Sequence, residues 1–331
     1  MLDVAWVFPI SFLVSMVFCF LLLPHYIKKA QAVDMVGIDI HKPGNPKIAE
    51  SGGIILMLAY LLGLFFFIAF LNKPSTNIYI EEIIGTAATV LFSSFIGLID
   101  DVYEVRWRIK ALTPMLGGIP LAVMSLGRPT ISTPLGVLDF ALLGVVGLVF
   151  FYAIIVPFVV TACANAVNML AGLNGLESGS ILIIASALAL LSLIKGKNEG
   201  LLILTPLIGG LLAFLYFNKY PSKVFIGDVG TFGMGTIIAC VAMLAHLERA
   251  AFVMFIPHTI NAILFFLGKL KGKTPSRRAP MNPDGTIPCT TKWSLRCLIL
   301  QIHPMKEKEI TYVIWGIVAL CSAIGIFAYG L

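Results

Sequence analysis

Asp100 and Asp101 are adjacent carboxylates at the end of the apolar run Ala87–Ile99, and the basic stretch Arg106, Trp107, Arg108, Ile109, Lys110 follows them. Two neighbouring carboxylates at a membrane boundary repel each other and resist desolvation, so they require a compensating cation. A solvated helix end is the bland account of the pair; a site for Mg²⁺ and phosphate is the chemical one. Asn165 and Asn168 are three residues apart and share a helix face. Buried amides are costly without partners, and an interhelical amide clamp explains them as readily as a ligand site does. Asp228 opens another apolar segment in the run Phe225-Ile226-Gly227-Asp228. It suits either an N-cap or a cation shared with Asn168, since oxygen ligands from Asp and Asn favour Mg²⁺ or Mn²⁺.

Three further groups carry weaker signals. Gly172 and Gly175 flank Leu173 and Asn174 in a turn that permits close backbone approach to a flat ligand. Glu50, at the start of an apolar segment, could cap a helix or accept hydrogen bonds from ribose hydroxyls. Arg277 and Arg278 sit between Pro275 and Pro280. They suit either anionic lipid headgroups or a guanidinium clamp on phosphate or sugar oxygens. The segment Gly268–Thr274 imitates a phosphate-binding loop, but it has three residues between its glycines where the Walker spacing has four. It is set aside.

The elements that must position these groups are transmembrane helices. Of 331 residues, 59% are hydrophobic and 12% charged, with mean hydropathy +0.97; soluble domains carry about 25% charged residues. Apolar windows predict an all-α polytopic protein with about ten spans, near 4–24, 53–72, 80–99, 112–126, 137–161, 178–194, 200–217, 230–246, 250–268 and 310–330. The first reads as a retained anchor, because Pro24, His25 and Lys28-Lys29 follow it rather than a small-residue cleavage site. With the N-terminus outside, 18 of the 23 Lys and Arg residues fall on the inner side and 5 on the outer. This positive-inside bias puts both termini outside and every polar cluster on the inner face. The chain is expected to form a single transmembrane domain, residues 1–331, with a cytosolic loop segment at 269–309. The six cysteines form no C-x-x-C pair and four lie in apolar segments, so neither a disulfide framework nor a zinc site is expected. The five histidines are scattered and read as structural.

Taken together, the blocks Lys47–Gly53, Asp100–Lys110, Asn165–Glu177, Asn218–Asp228 and Pro275–Pro280 resemble those of the polyprenyl-phosphate N-acetylhexosamine-1-phosphate transferases. The eukaryotic and archaeal UDP-GlcNAc:dolichyl-phosphate branch is the nearest match, because Ala171-Gly172 and Asn174-Gly175 stand where bacterial relatives have a D-G-x-D-G block. The resemblance implies transfer of GlcNAc-1-phosphate from UDP-GlcNAc to a polyprenyl (dolichyl) phosphate on the cytosolic face, releasing UMP, as the first membrane step of lipid-linked glycan assembly. It implies that Asn168 and Asp228 hold Mg²⁺, that Lys110 contacts phosphate, and that Asp100 and Asp101 organise the acceptor phosphate and Lys110. It further implies that Asn165 lines the phosphate site, that Gly172 and Phe225 sandwich the uracil with Asn174 and Glu50 on the uridine, and that Arg278 reaches the sugar. Arg277 stands where eukaryotic members have a histidine, so the division of labour between the two arginines is open. The family also implies membrane lipids as partners, no nucleic acid, and a homodimer as an option. Short inner loops favour an archaeal plasma membrane over an endoplasmic reticulum.

Two other classes are weighed. A secondary transporter of an anionic substrate places ionisable groups near the bilayer midplane and often shows internal repeats; here the acids sit at segment ends and no repeat is visible. A noncatalytic scaffold would tolerate alanine throughout the acid and amide cluster.

Overall fold

The computed structural model describes residues 6–71, 80–103, 105–133, 136–272, 281–289 and 291–330. It is mostly helical, 74% of the chain, as the uninterrupted apolar segments require: a backbone in hydrocarbon satisfies its own polar groups only in helices or closed barrels. Among the described residues, seven helical stretches are long and apolar enough to cross a membrane. They are α1 (Val7–Ala32), α3 (Ile80–Tyr103), the stretch Phe140–Leu170, α9 (Leu176–Ile194), α10 (Asn198–Asn218), α11 (Gly227–Leu244) and α15 (Glu307–Gly330). Within Phe140–Leu170, α7 (Gly144–Phe150) and α8 (Val156–Leu170) are joined by a π-helical turn, Phe151–Ile155. An eighth crossing arises if α12 (Glu248–Met254) and α13 (Ile256–Leu270), bent by 65° to each other, form one broken span.

Two predicted segments remain. The first of them, 53–72, becomes α2 (Gly53–Leu71). The second, 112–126, divides into α4 (Trp107–Leu112), α5 (Pro114–Gly117) and α6 (Ile119–Val123). Pro114 and Pro120 each start a new helix there, consistent with proline's preference for the first helical turn. Two small antiparallel hairpins interrupt the helical pattern, β1 (Val36–Ile38) with β2 (Lys47–Ala49) and β3 (Thr130–Thr133) with β4 (Gly136–Asp139). They fold the loops back on the helix ends.

α11 is the central helix, with 89% of its apolar window buried, against 28% for α1 and 33% for α15. Small residues allow the burial: a Cβ at Gly235 would strike the backbone of Cys163 and Ala164, and Gly233 lies against Met57 and Ser94. In a membrane, where lipid is as apolar as leucine, close backbone approach of this kind drives helix association. α11 packs against α3 and α8, so the C-terminal ends of those two helices meet its N-terminal end.

Two expectations change. The fifth predicted span ends at 161, whereas the helix runs to Leu170, so Asn165 and Asn168 lie within its last turns. The expectation of no disulfide is corrected: Cys289 and Cys297 are bonded, with Cα atoms 5.3 Å apart. These are the two cysteines outside the apolar segments. Ser294, capping α14 (Leu295–Ile302) by accepting from the Cys297 N–H, turns the chain so that the pair falls within bridging distance.

Candidate active site

The last turn of α3, the short α4, the last turns of α8 and the first turn of α11 converge at one end of the bundle. Asp101 accepts the Asp228 N–H at 2.6 Å and the Val229 N–H at 3.3 Å, and the Ser51 hydroxyl at 2.9 Å. A carboxylate here satisfies free N–H groups at a helix start and complements the positive end of the helix dipole. Gly227, at φ +70, makes the turn into α11, and a Cβ there would collide with the Asp101 carboxylate. On α3, a Cβ at Gly97 would collide with the Asp228 carbonyl. The two glycines therefore set how closely the acid pair approaches α11.

Asp100 points the other way. Its Oδ1 accepts the Val105 N–H at 2.8 Å and its Oδ2 pairs with the Lys110 ammonium. Lys110 pairs at the same time with Oδ2 of Asp228. The other oxygen of Asp228 accepts from the Asn168 amide, which also donates to the Thr231 hydroxyl at 3.0 Å. Asn165 makes its contacts to backbone. It donates to the Thr161 carbonyl and, at 3.0 Å, to the carbonyl of Ala111, the neighbour of Lys110, and so fixes α4 against α8. Burial alone would lower the Lys110 pKa, but the carboxylates of Asp228 and Asp100 outweigh it and hold the value above the usual lysine range. The ammonium therefore stays charged at neutral pH.

Asp100, Asp101 and Asp228 set three carboxylates against one ammonium, a formal excess of two negative charges. Asn168 adds an amide that presents its oxygen after a half-turn. Oxygen donors with a charge deficit of two are the set a hard divalent cation takes, so Asn168 and Asp228 fit the ion expected of them.

Beside this centre the β1–β2 hairpin docks on the segment before α11. Phe225 N–H donates to the Ala49 carbonyl, and the Gly52 and Gly53 N–H groups donate to the Phe225 and Ile226 carbonyls, each at 2.8 Å. This brings Glu50 and Phe225 together around Gly37, whose Cβ would lie 3.1 Å from the Phe225 ring and 3.3 Å from a Glu50 carboxylate oxygen. Gly172, at φ +124, faces open space. Gly37 is the glycine that packs against the Phe225 ring, unmarked in the sequence because nothing there paired the two.

Asn174 sits in a network the sequence did not expose. Its side-chain oxygen accepts from Lys42 Nζ at 2.9 Å and the Ser222 N–H at 2.8 Å, and its nitrogen donates to Asp39 at 3.1 Å. Its backbone N–H donates to Glu307 at 2.7 Å. Lys42 also pairs with Glu307 and, at 3.1 Å, with Asp39, and lies 4.1 Å from the centre of the Tyr220 ring. These bonds hold the Asn174 turn in place. Asp39, His41 and Glu307 are close enough to share a cation, and the Lys42 ammonium already supplies positive charge among them. The Asp39–Lys42 spacing was the available signal; Glu307, 265 residues from Lys42, had none. Arg277 and Arg278 lie outside the described residues.

This fold and centre define a class, the polytopic membrane proteins with an acid, amide and lysine centre at one end of a helix bundle. Residues 83–246 match the model described as glycosyl transferase family 4. The chain is 33% identical to a Saccharolobus solfataricus protein assigned as a UDP-N-acetylglucosamine–dolichyl-phosphate N-acetylglucosaminephosphotransferase, over 91% of this chain and 90% of that one. It is 32% identical to a protein of the same assignment from Sulfolobus acidocaldarius, over 88% and 86%. A Dictyostelium discoideum enzyme with that name is 29% identical over 92% of this chain and 84% of its own. The chain belongs to the polyprenyl-phosphate N-acetylhexosamine-1-phosphate transferases of glycosyl transferase family 4.

Proposed function

We propose that the protein transfers GlcNAc-1-phosphate from UDP-GlcNAc to a polyprenyl phosphate of the dolichyl type, releasing UMP, with Mg²⁺ as cofactor. The observation that carries this reading is the single ammonium of Lys110 held between Asp100 and Asp228, with Asn168 on the far oxygen of Asp228. The names of the archaeal and eukaryotic relatives supply the donor and acceptor class.

The acceptor, a phosphate monoester with a second pKa near 6, is already mostly dianionic at neutral pH. It needs little deprotonation, and the barrier lies in bringing it to an anionic diphosphate. Lys110 is charged, aimed and held from two sides, so it screens that approach without reorganising. Asp100 and Asp228 fix the ammonium, Asn165 fixes the backbone beside it, and Asp101 fixes the start of α11. Asn168 and Asp228 are the residues that would hold the divalent ion. When bound, such an ion neutralises charge on the donor diphosphate and on the departing UMP. Gly37, Phe225 and Gly172 form the walls on which a flat base would rest, with Glu50 at the edge.

The acceptor's tail has a matching surface. An apolar groove of about 320 Å³ runs along α8 between α11 and α12, from Ala166 to Phe151 and Thr130. Ala166 and Asn168 are about 3 Å apart along the axis of α8, so a chain in this groove ends at the depth of the polar centre, on a neighbouring face of the helix. Transport of an anionic substrate is less well supported, because the charged groups occupy helix ends and not the middle of broken spans. The 33% and 32% identities to archaeal proteins, against 29% to the Dictyostelium one, favour an archaeal plasma membrane with this face in the cytosol.

The test is an assay of purified protein with radiolabelled UDP-GlcNAc, a short polyprenyl phosphate and Mg²⁺. Equal amounts of UMP and lipid-linked GlcNAc are expected. Uptake of intact donor into vesicles without UMP release would contradict the reading.

A further inference from the structure

The far ends of the same helices enclose a second polar cavity. It has a volume of about 300 Å³ and is lined by Lys195, Lys197, His246 and Arg249, with Ser132 and Tyr329 among the other lining residues. Four parts of the chain meet there: the β3–β4 hairpin, the α9–α10 turn, the region from the α11–α12 turn into α12, and the end of α15. α9 has 19 residues, so at about 1.5 Å per residue Lys195 lies roughly 28 Å from the Asn174 turn, close to the thickness of a bilayer core.

The charge placement is unusual. The topology expected from the sequence assigns 5 of the 23 Lys and Arg residues to the side opposite the acid centre, and 3 of those 5 line this cavity. No carboxylate is among the lining residues. Among the described residues, Lys195, Lys197 and Arg249 form no ion pair. The Arg249 Nε is buried with no hydrogen-bond partner. Glu248 lies 3.7 Å from His246 Nδ1 but lines the apolar groove instead.

Three converging cations with no carboxylate in the lining repel one another, and an anion among them removes the conflict. Two ammonium groups, a planar guanidinium and two hydroxyls are a donor set suited to phosphate oxygens. Exposed apolar side chains flank the cavity as a rim: Val137, in the lining, at 58%, and Leu193 and Ile194, which directly precede Lys195, at 65% and 52%. Such a rim at the end of a span faces acyl chains, which puts the cavity at headgroup depth. We propose that this cavity binds the phosphate of an anionic phospholipid in the leaflet opposite the catalytic centre.

The experiment is native mass spectrometry of the purified full chain titrated with phosphatidylglycerol, phosphatidylcholine or inorganic phosphate. The wild type should retain phosphatidylglycerol at lower concentration than phosphatidylcholine. The variant Lys195→Gln/Lys197→Gln/Arg249→Gln should raise the half-saturating phosphatidylglycerol concentration by about tenfold or more, as expected for lost headgroup cations. Its basal UMP release should be unchanged. Lys28→Gln/Lys29→Gln, at the catalytic end, should retain the lipid as the wild type does. If the triple variant fails to fold, Lys195→Gln, which alters an exposed side chain, should still weaken retention measurably. Equal retention by wild type and variants overturns the site, and inorganic phosphate binding as tightly as the lipid overturns the lipid as its source.

Discussion

Lys110 is held by two carboxylates that would otherwise repel each other, and its charge survives burial because of them. Lys110→Ala should therefore lower kcat by about 10²–10³, the usual loss for one preorganised electrostatic group, with the UDP-GlcNAc KM changed little; steady-state UMP release measures both. Lys42 is different, since it touches the Asn174 turn and not the reacting centre. Lys42→Met should raise the donor KM by about tenfold, through loss of a charge-assisted hydrogen bond, while kcat at saturating donor stays near wild type. His41 provides a pH signature. Burial first, and then the Arg296 guanidinium, push its imidazole down to about 4, whereas an unfolded ring titrates near 6.5. Between these values the unfolded chain binds the extra proton, so stability falls as pH drops from about 6.5 towards 4. His41→Gln should flatten that part of a melting-temperature profile; an unchanged slope would remove His41 as its source. At this scale the acids, the amides and Lys110 were legible because each is expensive to bury beside lipid without a partner. Asp39, Lys42 and Glu307 were not, because they neutralise one another across 265 residues, and sequence spacing carries no trace of such a pairing.

At the scale of elements, the centre depends on three helix ends and one short helix. α4 has six residues, none of them fully buried, so its position rests on its ties to α3, α8 and α11. Asn165 is one of those ties through the Ala111 carbonyl. Asn165→Ala should lower kcat by about tenfold, as a displaced positioning group does, while leaving the Mg²⁺ requirement intact; a metal titration of UMP release distinguishes this from a ligand loss. The long apolar helices were legible from composition. The breaks at Pro114, Pro120 and the α12–α13 bend were less so, because hydropathy averages over a window and does not register where a helix restarts. The hairpin β1–β2 escaped notice for a related reason: each strand has only three residues, too few for alternation to show. The Cys289–Cys297 bond was missed because only the turn at Ser294 brings the two close.

At the scale of the whole molecule, the bundle separates two kinds of chemistry by the length of its helices. One end gathers carboxylates, amides and a lysine at the tip of the most buried helix, and the other gathers cations in a cavity with no acid among its lining residues. The alternation of spans anticipated that the acids and amides would share one end of the bundle, and the positive-inside count assigns that end to the inner side. It could not foresee that α11 would be central, which follows from its small residues and not from its hydropathy. The central claim is that Asn168 and Asp228 form, with Lys110, one metal-assisted centre for two anionic substrates. It is tested most directly by measuring UMP release against Mg²⁺ concentration for the wild type, Asn168→Ala and Lys110→Ala. The account predicts that Asn168→Ala raises the half-saturating Mg²⁺ concentration by about tenfold or more, the scale expected for a lost ligand, whereas Lys110→Ala lowers the maximum rate at an unchanged half-saturation. An Asn168→Ala enzyme with wild-type rate and Mg²⁺ dependence would contradict it.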